Sequence, residues 1–233
     1  MKRCLLCLLL MQVMCFCHAQ DTTTHAEPET VTRTNKPFEK IIEKFSVLKA
    51  DKKTKQGLFQ AFFNDAILVA SGKYEDGKKM GKWRYNNTQG TLDQVYDYTN
   101  RKLIYVTAPD TAWFKFDFDT KINDTDKLTY PIKIGGAFYG YQFVYNETVV
   151  PFSQDMHDSH LPGKFRCTNI LSVSPDGMLT RWQLLATNGN FKKLYEVPMD
   201  KLSDDDKLFV AATQNGKPIP AKVYVDIYMQ VYF

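Results

Sequence analysis

The stretch Asp155-Met156-His157-Asp158-Ser159-His160 gathers the residue types that hold divalent metals or move protons. Two histidines three apart, with two carboxylates between and before them, have the donor types that ligate zinc. The set is incomplete. Only Cys167 lies near as a further ligand, and Pro151 and Pro162 flank the stretch and oppose the helix that would aim both imidazoles at one ion. A solvated polar loop accounts for the same residues, and no metal is expected. Cys167 with His157 or His160 has the composition of a thiol nucleophile and its base. No oxyanion-forming motif accompanies it, and Arg166-Cys167-Thr168 enters an apolar segment, where a lone cysteine serves as a small buried side chain. A metal-dependent or thiol hydrolase using residues 155–167 is therefore the alternative reading. No catalytic residue and no cofactor is expected.

Other patterns reduce to structure. Asp204, Asp205 and Asp206 lack the alternating ligands, central glycine and terminal glutamate of a calcium loop, and follow Ser203 as the acidic first turn of a helix would. Gly135-Gly136 has neither the lysine nor the following helix pattern of a phosphate loop. Lys78, Lys79, Lys82 and Arg84 interleave with Trp83 and Tyr85, as an anionic-glycan or nucleic-acid site would, but on strands they read as the solvated face of a repeat. Asn86-Asn87-Thr88, Asn123-Asp124-Thr125 and Asn146-Glu147-Thr148 match the glycosylation pattern, which matters only in a eukaryotic secretory pathway.

The elements behind these residues announce themselves through a 24-residue echo. Lys55-Gln56-Gly57-Leu58-Phe59 returns as Lys79-Met80-Gly81-Lys82-Trp83, and Leu68, Tyr74, Asp76 and Lys78 return as Leu92, Tyr98, Asn100 and Lys102. A fixed period implies a supersecondary unit that buries its face on its neighbour. That is the physics of a scaffold or binding surface. The expected structural positions of the repeat are Gly57, Phe59, Tyr74, Gly77, Gly81, Trp83 and Tyr98.

Residues 1–20 read as a signal peptide: Lys2 and Arg3, an apolar run from Leu5 to Phe16, and a small residue at Ala19. The run is shorter than the ~20 residues of a membrane span. Four of the five cysteines fall inside it, so only Cys167 would remain and no disulfide framework is expected. Without Lys2 and Arg3 the formal charge of +4 falls to about +2, too small to argue for nucleic acid or an anionic membrane, and no stable membrane insertion is expected once the signal peptide is cleaved. Thirteen Tyr and sixteen Phe favour strands.

Along the chain, residues 21–37 are polar and read as a disordered spacer. Phe38, Ile41, Ile42 and Phe45 have the spacing of a short helix over 38–48, with Phe45 to Leu48 open to a strand. Residues 38–150 are expected to hold the β-repeats and an aromatic β segment. There Phe114, Phe116 and Phe118, and again Tyr139, Tyr141, Phe143 and Tyr145, alternate as half-buried strands do. Residues 151–233 read as α+β: a hairpin over Ile170–Leu185 turning at Ser174-Pro175-Asp176-Gly177, a helix from Ser203 to about Ala212, and a long amphipathic strand over Val223–Phe233.

Gly72-Lys73-Tyr74-Glu75-Asp76-Gly77-Lys78-Lys79-Met80-Gly81-Lys82-Trp83 resembles the MORN-variant repeat over residues 55–102. The resemblance implies hairpins whose glycines make the turns and whose rings stack from repeat to repeat. Ile170 to Leu179, together with Asn215-Gly216-Lys217-Pro218 before the final strand, resembles the C-terminal domain of TonB-type energy transducers over residues 160–233. It implies a small α+β domain with an open sheet edge. A transducer also needs an uncleaved anchor and a Pro-rich spacer, so peptide binding is expected here in place of energy transduction. The expectation is thus a β-rich α+β protein of a Gram-negative bacterium, periplasmic or outer-envelope associated and not an enzyme. It would bind a protein or peptide of the cell envelope through sheet edges. The candidate binding strand is Val223, Tyr224, Val225, Asp226, Ile227 and Tyr228. A carbohydrate-binding module using exposed aromatics is the remaining alternative.

Overall fold

The computed structural model describes residues 29–35, 41–49, 51–109, 113–148, 152, 162–189 and 191–232. The expected signal peptide and the Asp155–His160 stretch lie outside the described residues. The chain is β-rich and its strands pair antiparallel.

Seven strands form one sheet in chain order: β1 (Glu29–Asn35), β2 (Ile41–Val47), β3 (Lys55–Phe63), β4 (Ile67–Glu75), β5 (Lys78–Asn86), β6 (Leu92–Asp97) and β7 (Lys102–Val106). β1 pairs antiparallel with β2, and from β2 onward each strand connects to the next as a hairpin. At Asp76-Gly77 both residues have positive φ (47° and 77°), as a two-residue turn between right-twisted strands demands. One face of this sheet buries Ile41, Phe45, Phe59, Val69, Trp83, Tyr85 and Tyr96.

After β8 (Phe114–Phe118), β9 (Leu128–Thr129) and β10 (Ile132–Lys133) come β11 (Gly163–Val173), β12 (Leu179–Asn188) and β13 (Phe191–Glu196). The chain ends in β14 (Phe209–Val210), β15 (Ala212–Gln214), β16 (Lys217–Ile219) and β17 (Ala221–Val231). A five-stranded sheet has the order β13-β12-β11-β17-β8, so it draws strands from both sides of residue 150. β10 pairs with β14, and β15 pairs with both β16 and β9. Val223, Val225, Ile227, Met229 and Val231 are buried while Tyr228 and Gln230 are exposed, the alternation the sequence prescribes for β17.

Four expectations of local structure are corrected. Part of the expected spacer is strand β1, whose Thr-Val-Thr-Arg-Thr run is rich in β-branched residues and pairs along its whole length with β2. The expected helix at 38–48 is β2. Its burial alternates through Ile41, Glu43, Phe45 and Val47, and the buried Glu43 carboxylate, accepting from the Tyr139 hydroxyl at 2.8 Å, hides that period in the sequence. The expected strand through Tyr139–Tyr145 is a 3₁₀ turn at Tyr139–Tyr141 followed by helix over 142–148. It lies between the two sheets, with Tyr139 against Tyr85 and Tyr141 against Phe114, so both of its sides are apolar and alternation carries no strand information. The expected helix from Ser203 stops after one turn, Asp204–Lys207. Ser203 and Asp206 cap it reciprocally, but Phe209–Val210 and Ala212–Gln214 are taken by strand pairing. That turn buries none of its residues, while Phe143 and Val144 of the 142–148 helix belong to the same buried core as the apolar face of β17.

Candidate functional site

A groove of about 590 Å³ lies between the seven-stranded and the five-stranded sheet. β6 supplies Asp93 and Gln94, β8 supplies Phe114 and Phe116, and the 131–145 segment supplies Ile132, Phe138, Tyr141 and Tyr145. Trp113, just before β8, stands at its rim with 57 % of its surface exposed.

The polar walls of this groove are bonded within the protein. Gln94 is fully buried. Its amide donates to the Lys133 carbonyl at 2.9 Å, and its oxygen accepts from the N–H groups of Gly135 and Gly136 at 2.8 and 3.1 Å. Asp93 accepts from the Ala137 N–H at 2.6 Å and from the Thr107 hydroxyl. Gly136 has φ +76°, and a Cβ there would lie 2.8 Å from the Asp93 carboxylate, so a side chain is excluded on both counts. Lys133 is buried, and its amine donates to the carbonyls of Ile134, Asp205 and Leu208 at 3.0, 2.8 and 3.0 Å. Burial pushes its pKa down to about 7, with the carboxylates of Asp206 and Asp205 acting the other way. A peptide or sugar entering the groove therefore meets aromatic surface, with these three polar side chains already engaged.

The residues of the repeat come together. Phe59 and Trp83 pack with centroids 5.3 Å apart and planes tilted by 34°, and Tyr74 meets Trp83 edge-on at 5.2 Å. Tyr98 lies 5.8 Å from Trp83. Gly57, Gly77 and Gly81 all have positive φ. Trp83 is buried, and its indole N–H donates to the Lys73 carbonyl at 3.2 Å. These side chains form a core, closed to a ligand.

The candidate binding strand divides in two. Val223, Tyr224 and Val225 pair with β11 on one side and β8 on the other, so strand addition has no free edge there. From Asp226 onward only β11 pairs with β17 among the described strands. Asp226 is bonded to Arg166 and Thr168, and Tyr228 is exposed. The Cys167 thiol is buried, and burial pushes its pKa up to about 12, away from the thiolate a nucleophile needs. Among the described residues no group of three or more His, Cys, Asp or Glu is placed to hold a metal ion, and no helix is long and apolar enough to cross a membrane.

Sequence reasoning missed the groove. Its one local signal was Gly135-Gly136, which reads as a backbone bend. What grips that bend is Asp93 and Gln94, more than forty residues earlier. Comparison of the chain with family models, curated proteins and solved structures finds no match in any of the three.

Proposed function

We propose that this chain is a non-catalytic exported envelope protein that binds an extended peptide. The carrying observation is the continuity of β7 with the groove. β7 is the last strand of its sheet, Ile104 and Tyr105 on it are exposed, and Val106 and Thr107 at its end line the groove beside Trp113. An extended peptide would add to β7 through main-chain hydrogen bonds and place a large apolar side chain among Trp113, Phe116 and Tyr145. The engaged polar walls favour such a side chain over a sugar, whose hydroxyls need unengaged partners.

The 24-residue spacing of the Phe59 and Trp83 rings supports reading residues 55–102 as MORN-variant repeats. The Asn215-Gly216 turn leading through β16 to the closing strand supports a domain like the TonB C-terminus. The buried thiol of Cys167 speaks against the thiol hydrolase. Panning a peptide-display library on the purified chain tests the proposal. Recovered peptides should share a large apolar residue and lose binding to Trp113→Ala and Ile104→Pro variants. Peptides indifferent to both substitutions would refute it.

A further inference from the structure

We propose that the outward face of the seven-stranded sheet docks an acidic polysaccharide. Directly opposed residues of antiparallel strands share a face. The pairings Lys44↔Gln60, Gln60↔Ser71, Ser71↔Arg84, Arg84↔Val95 and Val95↔Tyr105 therefore form one row across β2 to β7. The neighbours of this row along the strands, Phe45, Phe59, Trp83 and Tyr85, are buried on the opposite face. The row thus points away from the core. Lys44 and Arg84 are exposed, and Tyr105 is 45 % exposed.

The charge on this face is mostly positive: its exposed carboxylate on β4, Glu75, stands directly opposite the exposed Lys78. Lys73 and Lys82 are exposed next to the row on β4 and β5, and none of Lys44, Lys73, Lys82 and Arg84 forms an ion pair among the described residues. Asp97 stands opposite Lys82, but its carboxylate is taken up by the Asn100 main chain and side chain. A modest net charge for the whole chain conceals this concentration.

The arrangement within the row selects the partner. Lys44 and Arg84 are three strand spacings apart, ~14 Å, with the amide of Gln60 and the hydroxyl of Ser71 between them. Two cations separated by two neutral hydrogen-bonding groups match a chain whose carboxylates are separated by hydroxyls. Tyr105 at the end of the row offers a platform for a sugar ring. A bilayer would leave Gln60 and Ser71 without a role. A nucleic acid would call for aromatic stacking along the row and not only at its end.

Titration calorimetry of the full chain with polygalacturonate decides the matter. Binding should weaken steeply with added salt and be absent for neutral dextran. It should fall about tenfold or more in Lys82→Glu/Arg84→Glu, where attraction becomes repulsion. Gln60→Ala/Ser71→Ala should weaken it a few-fold, about the effect of losing two hydrogen bonds. Lys192→Glu, on the exposed edge strand of the other sheet, should leave it unchanged. Circular dichroism of each variant checks the fold, and the salt dependence needs no variant. Absence of polygalacturonate binding would overturn the proposal, as would equal loss in Lys192→Glu. So would preferential binding to phosphatidylglycerol vesicles or duplex DNA that ignores Gln60 and Ser71.

Discussion

Lys55 and Lys79 stand one repeat apart, and each lies over the aromatic pair of its own repeat. The Lys55 ammonium is 4.9 Å from the Phe59 ring and 5.0 Å from Tyr74, and that of Lys79 is 4.7 Å from Trp83 and 5.2 Å from Tyr98. Shifting the first set by 24 positions yields the second. The echo in the sequence is therefore the record of a cation held over two rings. Each copy also meets a carboxylate, Glu43 at 4.0 Å from Lys55 and Asp205 at 3.2 Å from Lys79. Burial opposes the charge of Lys79, but Tyr98, Asp205 and Tyr74 outweigh it and hold its pKa above the ordinary lysine value.

Lys79→Met should therefore cost more than Lys55→Met, because Lys79 is the more buried of the two and its carboxylate partner, Asp205 on the helical turn 204–207, is closer, 3.2 Å against 4.0 Å. A loss of about 1–3 kcal/mol is expected for Lys79→Met, the range of a partly desolvated cation–π contact plus a charge-assisted hydrogen bond. Urea unfolding measures it. A double-mutant cycle with Asp205→Asn should show coupling for Lys79 and none for Lys55.

Trp83→Ala should cost ~3–5 kcal/mol, since a fully buried indole is removed from contact with Phe59, Tyr74 and Tyr98. Gly72→Ala tests the same contact from the other side. A Cβ there would fall 2.2 Å from the Trp83 ring, so overpacking of about 1–3 kcal/mol is expected. Thermal melting reads both, and an unchanged melting temperature for Gly72→Ala would show that the ring is not held against β4.

β17 yields a paired test. Ile227→Asp places an unpaired carboxylate in a buried position and should unfold the five-stranded sheet. Asp226→Ala removes the bonds to Arg166 and Thr168 on the outer face and should leave the protein folded, with a loss of about 1 kcal/mol. Near-ultraviolet circular dichroism separates the outcomes, and equal folding of both variants would contradict the register.

Lys133 predicts a pH dependence. Its folded-state pKa of about 7 lies below its ordinary 10.5, so the unfolded chain binds more protons between those values. Stability should rise with pH across that window, by at most about 1.4 kcal/mol per pH unit from this group. Asp205, Asp206 and Lys79 act on it and are carried by the elements around it. Lys133→Met should lower stability, because the carbonyls of Ile134, Asp205 and Leu208 lose a group that can donate to all three as an ammonium and to two as a neutral amine, and should flatten the rise between pH 7 and 10. Denaturant midpoints of both proteins against pH give the comparison, and an identical slope would refute the assignment.

The sequence by itself determined the features that depend on neighbours a few residues apart. The alternation of Val223 to Val231 needs only the two-residue period of a strand, and Asp76-Gly77 needs only its own positive φ. The aromatic repeat was legible because the same local solution occurs twice. Tertiary structure decided the rest. Asn215-Gly216 is the turn of a hairpin whose first strand begins where the expected helix was to end, because β15 finds partners in β16 and in β9, more than eighty residues earlier. Glu43 is buried because Tyr139 comes to it, and β2 is a strand because that burial completes its alternation. The groove exists because Asp93 and Gln94 capture the bend at Gly135–Ala137 and β8 joins β17 across a hundred residues. The physical reason is common to all of these. A buried polar group is stable only where its hydrogen-bond partner arrives, and when that partner is distant in the chain, no local pattern announces it.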